Sequence, residues 1–125
     1  MRRIRIRVGG IETTARLLDT PTADAIWKAL PLRFRVSRWG KELYGSIPVQ
    51  VAQEPDASDL VERGDLAYWP PGSAFCIFFG PTPASQGDEA RTASEVNVFG
   101  HIEGDYHPFE RIPSSTDIQV EAIVE

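Results

Sequence analysis

The chain has 125 residues, of which 42% are hydrophobic and 25% charged, and its formal net charge is −5. This length and composition predict a single globular domain over residues 1–125 with one hydrophobic core. The acidic net charge argues against a surface that binds nucleic acid. The sequence shows neither a secretory signal nor the ~20 consecutive apolar residues of a membrane span, so we expect a cytoplasmic protein that binds no membrane.

The first predicted elements are the two strands of a hairpin. Residues 2–8, "RRIRIRV", alternate between arginine and aliphatic residues, which indicates a strand with one buried face. The glycines at 9–10 are typical of a tight turn, and the β-branched residues of 11–18 predict the return strand.

A helix is predicted after the hairpin. Thr20 is a suitable N-cap, and Pro21 suits the first helical position because its missing N–H does no harm there. Pro31 is expected to end the helix. The helix carries one apolar stripe, which consists of Ala23, Ile26, Trp27 and Leu30. This stripe should lie on a sheet or across the mouth of a barrel.

The middle of the chain alternates short strands with polar connections. Residues 32–38 again alternate and predict a strand. The polar stretch 53–59 indicates a long connection, with a helical turn near Leu60. Residues 84–95 carry no apolar periodicity and are predicted to be a long loop, which in compact domains is usually mobile or functional.

Two strands, 65–69 and 74–79, are predicted on either side of the turn "PPG". Both faces of the second strand are apolar, with Phe75, Ile77 and Phe79 on one side and Ala74, Cys76 and Phe78 on the other. The interior of the protein covers one face, so a helix, a partner subunit or a ligand pocket must cover the other. The one cysteine, Cys76, is expected to be a buried structural thiol.

The last predicted strands are 96–102, a second near 106–112, and 117–124. The final strand carries Asp117 and Glu121 on its exposed row, so we expect it to pair with the arginine-rich first strand. Eight short strands with paired termini predict a mainly β fold, a closed antiparallel eight-stranded barrel with one or two short capping helices, because closure removes unpaired edges.

Three motifs resemble those of known proteins: "WGKELY" at 39–44, "GDLAYWPPG" leading to "FFGPTP" at 64–83, and "VNVFG" at 96–100. Their order resembles the cyclophilin fold, and more closely a family of small, mostly prokaryotic cyclophilin-like proteins of unassigned function. The resemblance implies an eight-stranded barrel closed by helices.

The resemblance also implies positions for individual residues. It places Phe79 and Thr82 on the wall of a peptide-binding groove on the outer face of the barrel, and Phe78 and Phe99 in the core. Val96 stands where a prolyl isomerase has a histidine, and the sequence context of the catalytic arginine is not found. The resemblance therefore assigns no catalytic residue, and the fold alone is not evidence of catalysis.

Other polar residues predict structural roles. His101 and His107 lie apart without a recognised metal-ligand spacing, and we expect them at the surface or half-buried. Asn97, if buried, must be hydrogen-bonded. No metal and no cofactor is predicted.

The sequence therefore favours a non-catalytic module that binds a small molecule or a peptide in a groove on the barrel wall. Two alternatives stay open: a divergent peptidyl-prolyl cis-trans isomerase, and a subunit or regulator of an amide- or urea-type hydrolase. The apolar outer face is equally compatible with a homodimer and a monomer. The predicted groove consists of Phe75, Phe79, Thr82, Pro83 and Ser85, with Trp39 and Tyr44 at its rim.

Overall fold

The computed structural model describes residues 2–124, in which nine strands and one α-helix form the fold. The helix is α1 (Pro21–Ala29), and two 3-10 segments span Pro70–Gly72 and His107–Arg111. The strands are β1 (Arg3–Val8), β2 (Ile11–Leu17), β3 (Leu32–Arg38), β4 (Glu42–Ser46), β5 (Ser58–Val61), β6 (Asp65–Trp69), β7 (Ala74–Phe78), β8 (Ala90–Glu103) and β9 (Thr116–Ile123).

Eight of these strands form a closed antiparallel ring. Its order is β2-β1-β9-β3-β4-β7-β6-β8, and β8 pairs with β2 to complete the circuit. The remaining strand, β5, pairs only with the first half of β8 and lies outside the ring. The mainly β, eight-stranded fold predicted from the sequence is confirmed.

The two terminal strands are neighbours, as predicted. Strands β1 and β9 pair antiparallel, with Arg5 opposite Glu121. The Arg5 Nη1 and Arg7 Nη1 atoms lie 3.4 and 2.7 Å from Glu121 Oε1. Arg35 of β3 pairs with Asp117 on the other side of β9. The arginines of the first strand therefore form an ion-paired face.

The helix forms where the capping signals predict it. The Thr20 side-chain oxygen accepts a hydrogen bond of 3.1 Å from the Ala23 N–H, and Pro21 occupies the first turn. Ala23 and Ile26 are fully buried, and Trp27 packs against the same core. The helix has nine residues, and none of the helices over 2–124 has the length and apolarity for a membrane span.

Three local predictions were wrong. The segment near 106–112 is a 3-10 helix instead of a strand, since Pro108 has no N–H to donate to a ladder. Leu60 lies in β5 instead of a helical turn. Residues 90–95, predicted as loop, are the start of β8, where Ala90 and Thr92 are buried and residues 93–95 are exposed.

The apolar residues form two separate clusters. The inner core fills the ring, and the outer cluster lies on the opposite face of its wall. Strand β7 contributes alternate residues to each of them. The inner core includes Ile4, Ile6, Leu43, Leu66, Phe75, Ile77, Phe79 and Phe99. The outer cluster consists of Val61, Ala67, Ala74, Cys76, Phe78, Ala90 and Val96, with Tyr44, Trp69 and Val98 packed against it.

Candidate functional site

A pocket of about 280 Å³ opens on the outer face of the ring. Side chains of β4 and β6 line it from the ring, and the first half of β8 forms its other wall. We refer to it as the outer pocket. Its lining consists of Trp39, Glu42, Tyr44, Trp69, Thr92, Ala93 and Val96.

The outer pocket exists because the ring carries small side chains at this point. Across β4, β7 and β6, Tyr44 is opposite Cys76, and Cys76 is opposite Ala67. Ala74, next on the same face of β7, is also small and is opposite Trp69. Since successive residues on one face of a strand lie side by side, two small side chains leave space between the larger rings of Tyr44 and Trp69.

Local hydrogen bonds hold the aromatic walls in place. The Trp69 indole N–H donates to the Ser94 hydroxyl at 2.7 Å, which ties the ring of β6 to β8. Trp39 and Glu42 exchange two backbone hydrogen bonds across a tight turn. Gly40 in that turn has a φ of +60°, and a Cβ there would lie 2.8 Å from the Cα of Thr82. Glycine is required at this position.

Among residues 2–124, Glu42 is the one carboxyl group in the lining. Its side chain is nearly enclosed, with 6% of the residue exposed, and it makes no ion pair within residues 2–124. Burial raises its pKa from 4.5 to about 7, and a hydrogen bond with the Cys76 thiol opposes this rise. A carboxyl group with such a pKa can hold or release a proton near neutral pH.

Cys76 is buried on β7, opposite Tyr44, and the burial of its thiol was predicted from the sequence. Burial raises the pKa of this thiol well above 9.0, and the nearby Glu42 carboxylate raises it further. The thiol is therefore protonated at neutral pH; it donates a weak hydrogen bond of 3.8 Å to the Ala74 carbonyl and is not a nucleophile.

Two of the predicted groove residues, Trp39 and Tyr44, line the outer pocket. Phe75 and Phe79 do not, and their assignment to a groove was wrong. Phe75 packs in the inner core, with its ring centroid 5.4 Å from that of Phe34. Phe79 is 3% exposed, and its ring lies 6.1 Å from that of Phe109.

The sequence correctly predicted which residues of β7 share a face. The resemblance, however, assigned the two faces the wrong way round. Phe75 and Phe79 point into the ring, whereas Phe78 points outward into the outer cluster. Phe99 lies in the inner core, as expected. The larger set of side chains fills the wide interior, and the set with Ala74 and Cys76 faces outward, where β8 and β5 lie close to the wall.

The remaining predicted residues support the pocket wall from behind. The Thr82 hydroxyl donates to the Arg91 carbonyl, and the Ser85 hydroxyl donates to the Glu89 carbonyl at 2.6 Å. Pro83 is exposed, and it lies against the Gly40 turn that carries Trp39. These residues attach the connection before β8 to the pocket wall, and none of them lines the pocket.

The lining residues that the groove prediction missed are Glu42, Trp69, Thr92, Ala93 and Val96. A signal for Glu42 was present, because Glu42 and Tyr44 are two positions apart and share a face of one strand. No comparable signal pointed to Thr92 or Ala93, since the segment before residue 96 has no apolar periodicity.

His101, His107 and Asn97 each make hydrogen bonds with neighbouring groups of the fold. His101 Nδ1 lies 2.9 Å from Asp65 Oδ1, and His107 is exposed beside Asp105. No group of three or more potential metal ligands occurs among residues 2–124. The buried Asn97 side chain accepts from the Glu54 N–H at 2.8 Å and donates to the Ala52 carbonyl at 3.0 Å.

A closed ring of eight strands with a pocket on its outer wall defines a small β-barrel of cyclophilin type. The chain belongs to the Cyclophilin-like family, which matches residues 2–121. It is also similar to the solution structure of a hypothetical protein from Archaeoglobus fulgidus, with 39% sequence identity and a TM-score of 0.81. That similarity covers 96% of this chain and 93% of the archaeal one. No curated protein matches the chain in sequence.

Proposed function

We propose that this protein binds a small organic molecule in the outer pocket. The observation that carries the proposal is the combination of three aromatic side chains, Trp39, Tyr44 and Trp69, with the enclosed carboxyl group of Glu42. Binding sites for small molecules are typically concave and apolar, with few polar groups that fix the orientation of the ligand. A volume of about 280 Å³ suits a ligand smaller than most drugs.

The lining supports binding more than prolyl isomerisation. An isomerase of the cyclophilin type relies on a cationic side chain that polarises the imide nitrogen, which lowers a barrier of ~18–20 kcal/mol. The residues that line the outer pocket, all within 2–124, include no arginine, lysine or histidine. Glu42 carries the opposite charge when it is ionised, so it cannot take that role.

The three tryptophans provide a direct test. Trp39 and Trp69 line the outer pocket, whereas Trp27 lies on α1 against the inner core. In ¹H–¹⁵N spectra recorded with a set of small neutral, anionic and cationic fragments, the indole signals of Trp39 and Trp69 should shift with at least one fragment. The Trp27 signal should stay in place.

A matched pair of variants tests the location. Trp39→Ala should abolish the response of Trp69 to that fragment, and Trp27→Ala should preserve it. If no fragment moves the signals of Trp39 and Trp69 at millimolar concentration, the proposed binding function is wrong.

A further inference from the structure

The outer pocket contains a carboxyl group, Glu42, that has no cationic partner among residues 2–124. Other carboxylates have cationic partners, such as Glu103 with Arg3 at 3.0 Å and Glu110 with Lys41 at 2.9 Å. Glu42 is more enclosed than either, yet it has no cationic partner in the part of the chain that the structure describes. A buried carboxylate without a partner is costly, so it needs either a proton or a cation from outside the chain.

The rest of the lining also favours a positive charge. The rings of Trp39, Tyr44 and Trp69 are electron-rich on their faces, and aromatic rings around a site attract cations, above all desolvated ammonium groups. The remaining lining residues, Thr92, Ala93 and Val96, are uncharged. An anionic ligand would be repelled by the carboxylate, whereas a cation pairs with it and compensates its charge.

We propose that the natural ligand of the outer pocket is a small alkylammonium ion, whose charge pairs with Glu42 and whose carbon groups pack among the rings of Trp39, Tyr44 and Trp69. This inference rests on the proposed function and specifies the class of its ligand. The volume of about 280 Å³ accommodates an ammonium group with several alkyl substituents. The ion supplies the positive charge that the chain itself does not place beside Glu42.

Binding of such an ion must be linked to the protonation of Glu42. The titratable groups around it are Cys76 on β7, whose thiol stays protonated, and Tyr44 on the same strand. Lys41 and Arg38, the nearest cationic residues along the chain, are paired with Glu110. With a pKa of about 7 for Glu42, the apparent association constant for a cation should rise about tenfold from pH 6 to pH 8.

Choline and its neutral isostere 3,3-dimethylbutan-1-ol provide the decisive comparison on the wild-type protein. At pH 8, choline should shift the indole signals of Trp39 and Trp69 at lower concentration than the isostere, and its affinity should fall about tenfold at pH 6. The affinity of the isostere should not fall between pH 8 and pH 6. The Trp27 signal reports any effect outside the pocket.

Two charge-matched variants complete the experiment. Glu42→Gln should remove both the preference for choline and its pH dependence, whereas Glu62→Gln, at an exposed position outside the lining, should retain them. Equal or tighter binding of the neutral isostere at pH 8, or full choline affinity in Glu42→Gln, would overturn the cation assignment and leave pocket binding intact. If neither probe nor any fragment shifts Trp39 and Trp69, the proposed function fails as well.

Discussion

Replacing Glu42 by glutamine should make the protein more stable at neutral and alkaline pH. The carboxyl group has a pKa of about 7 in the folded protein, against an ordinary value of 4.5. Its proton is therefore bound more tightly in the folded state than in the unfolded chain. Stability from this group is complete below pH 4.5 and is lost as pH rises to about 7.

The size of the effect follows from the two pKa values. Complete ionisation of Glu42 costs the folded state about 3 kcal/mol relative to the unfolded chain. Glutamine has nearly the same shape and no charge, so it avoids this cost. The difference in unfolding free energy between Glu42→Gln and the wild type should therefore grow by about 2.5 kcal/mol from pH 5 to pH 8, in favour of the variant.

Urea unfolding of both proteins at half-unit steps from pH 5 to pH 8.5 measures this difference directly. Carboxyl groups with a lowered pKa, such as Glu89 at about 2, lose their contribution at more acidic pH and are common to both proteins. Glu62→Gln is the control, because it makes the same change at an exposed position, and its difference from the wild type should be flat. A flat difference for Glu42→Gln too would refute the reasoning that its carboxylate is buried without a cation.

Three further substitutions test the packing around the ring. Phe79→Ala should reduce the unfolding free energy by ~3–5 kcal/mol in urea titrations, because the ring is in the inner core; a loss below ~1 kcal/mol would place it at the surface. Asn97→Ala should cost about 1–3 kcal/mol for each backbone group that it leaves unpaired, seen as a lower urea midpoint, and an unchanged midpoint would contradict the buried hydrogen bonds. Gly45→Ala should lower the melting temperature strongly, since the new Cβ would lie 2.3 Å from a backbone oxygen of β3, whereas Gly87→Ala in an exposed turn should leave it nearly unchanged.

Local sequence patterns predicted the elements that have one apolar face. The alternating arginines of β1 and the capping pair Thr20-Pro21 are local signals. Each predicts a strand or a helix start without any knowledge of the rest of the fold. The pairing of β1 with β9 was also predictable, because opposite charges on their exposed rows favour one neighbour over others.

The outer pocket was not predictable in the same way. Both faces of β7 are apolar, so alternation fixes which residues share a face but not whether Phe79 points inward or Phe78 does. The burial of Glu42 depends on β8 lying across the wall, about fifty residues further along the chain. Residues 90–95 show no alternation of apolar and polar residues, so the sequence did not predict a strand there. Their extended conformation depends on pairing with β5, which is distant in the sequence.

Strand β8 has a consequence for the shape of the pocket. Its first half lines the pocket together with Glu42, and its second half, from Asn97 onward, is held between β6 and β2. This wall of the pocket is thus one end of a ring strand, extended beyond the ring and paired there with β5. The position of this wall therefore depends on the short β5–β8 pairing, so a substitution that weakens β5 should change the pocket while the ring stays intact.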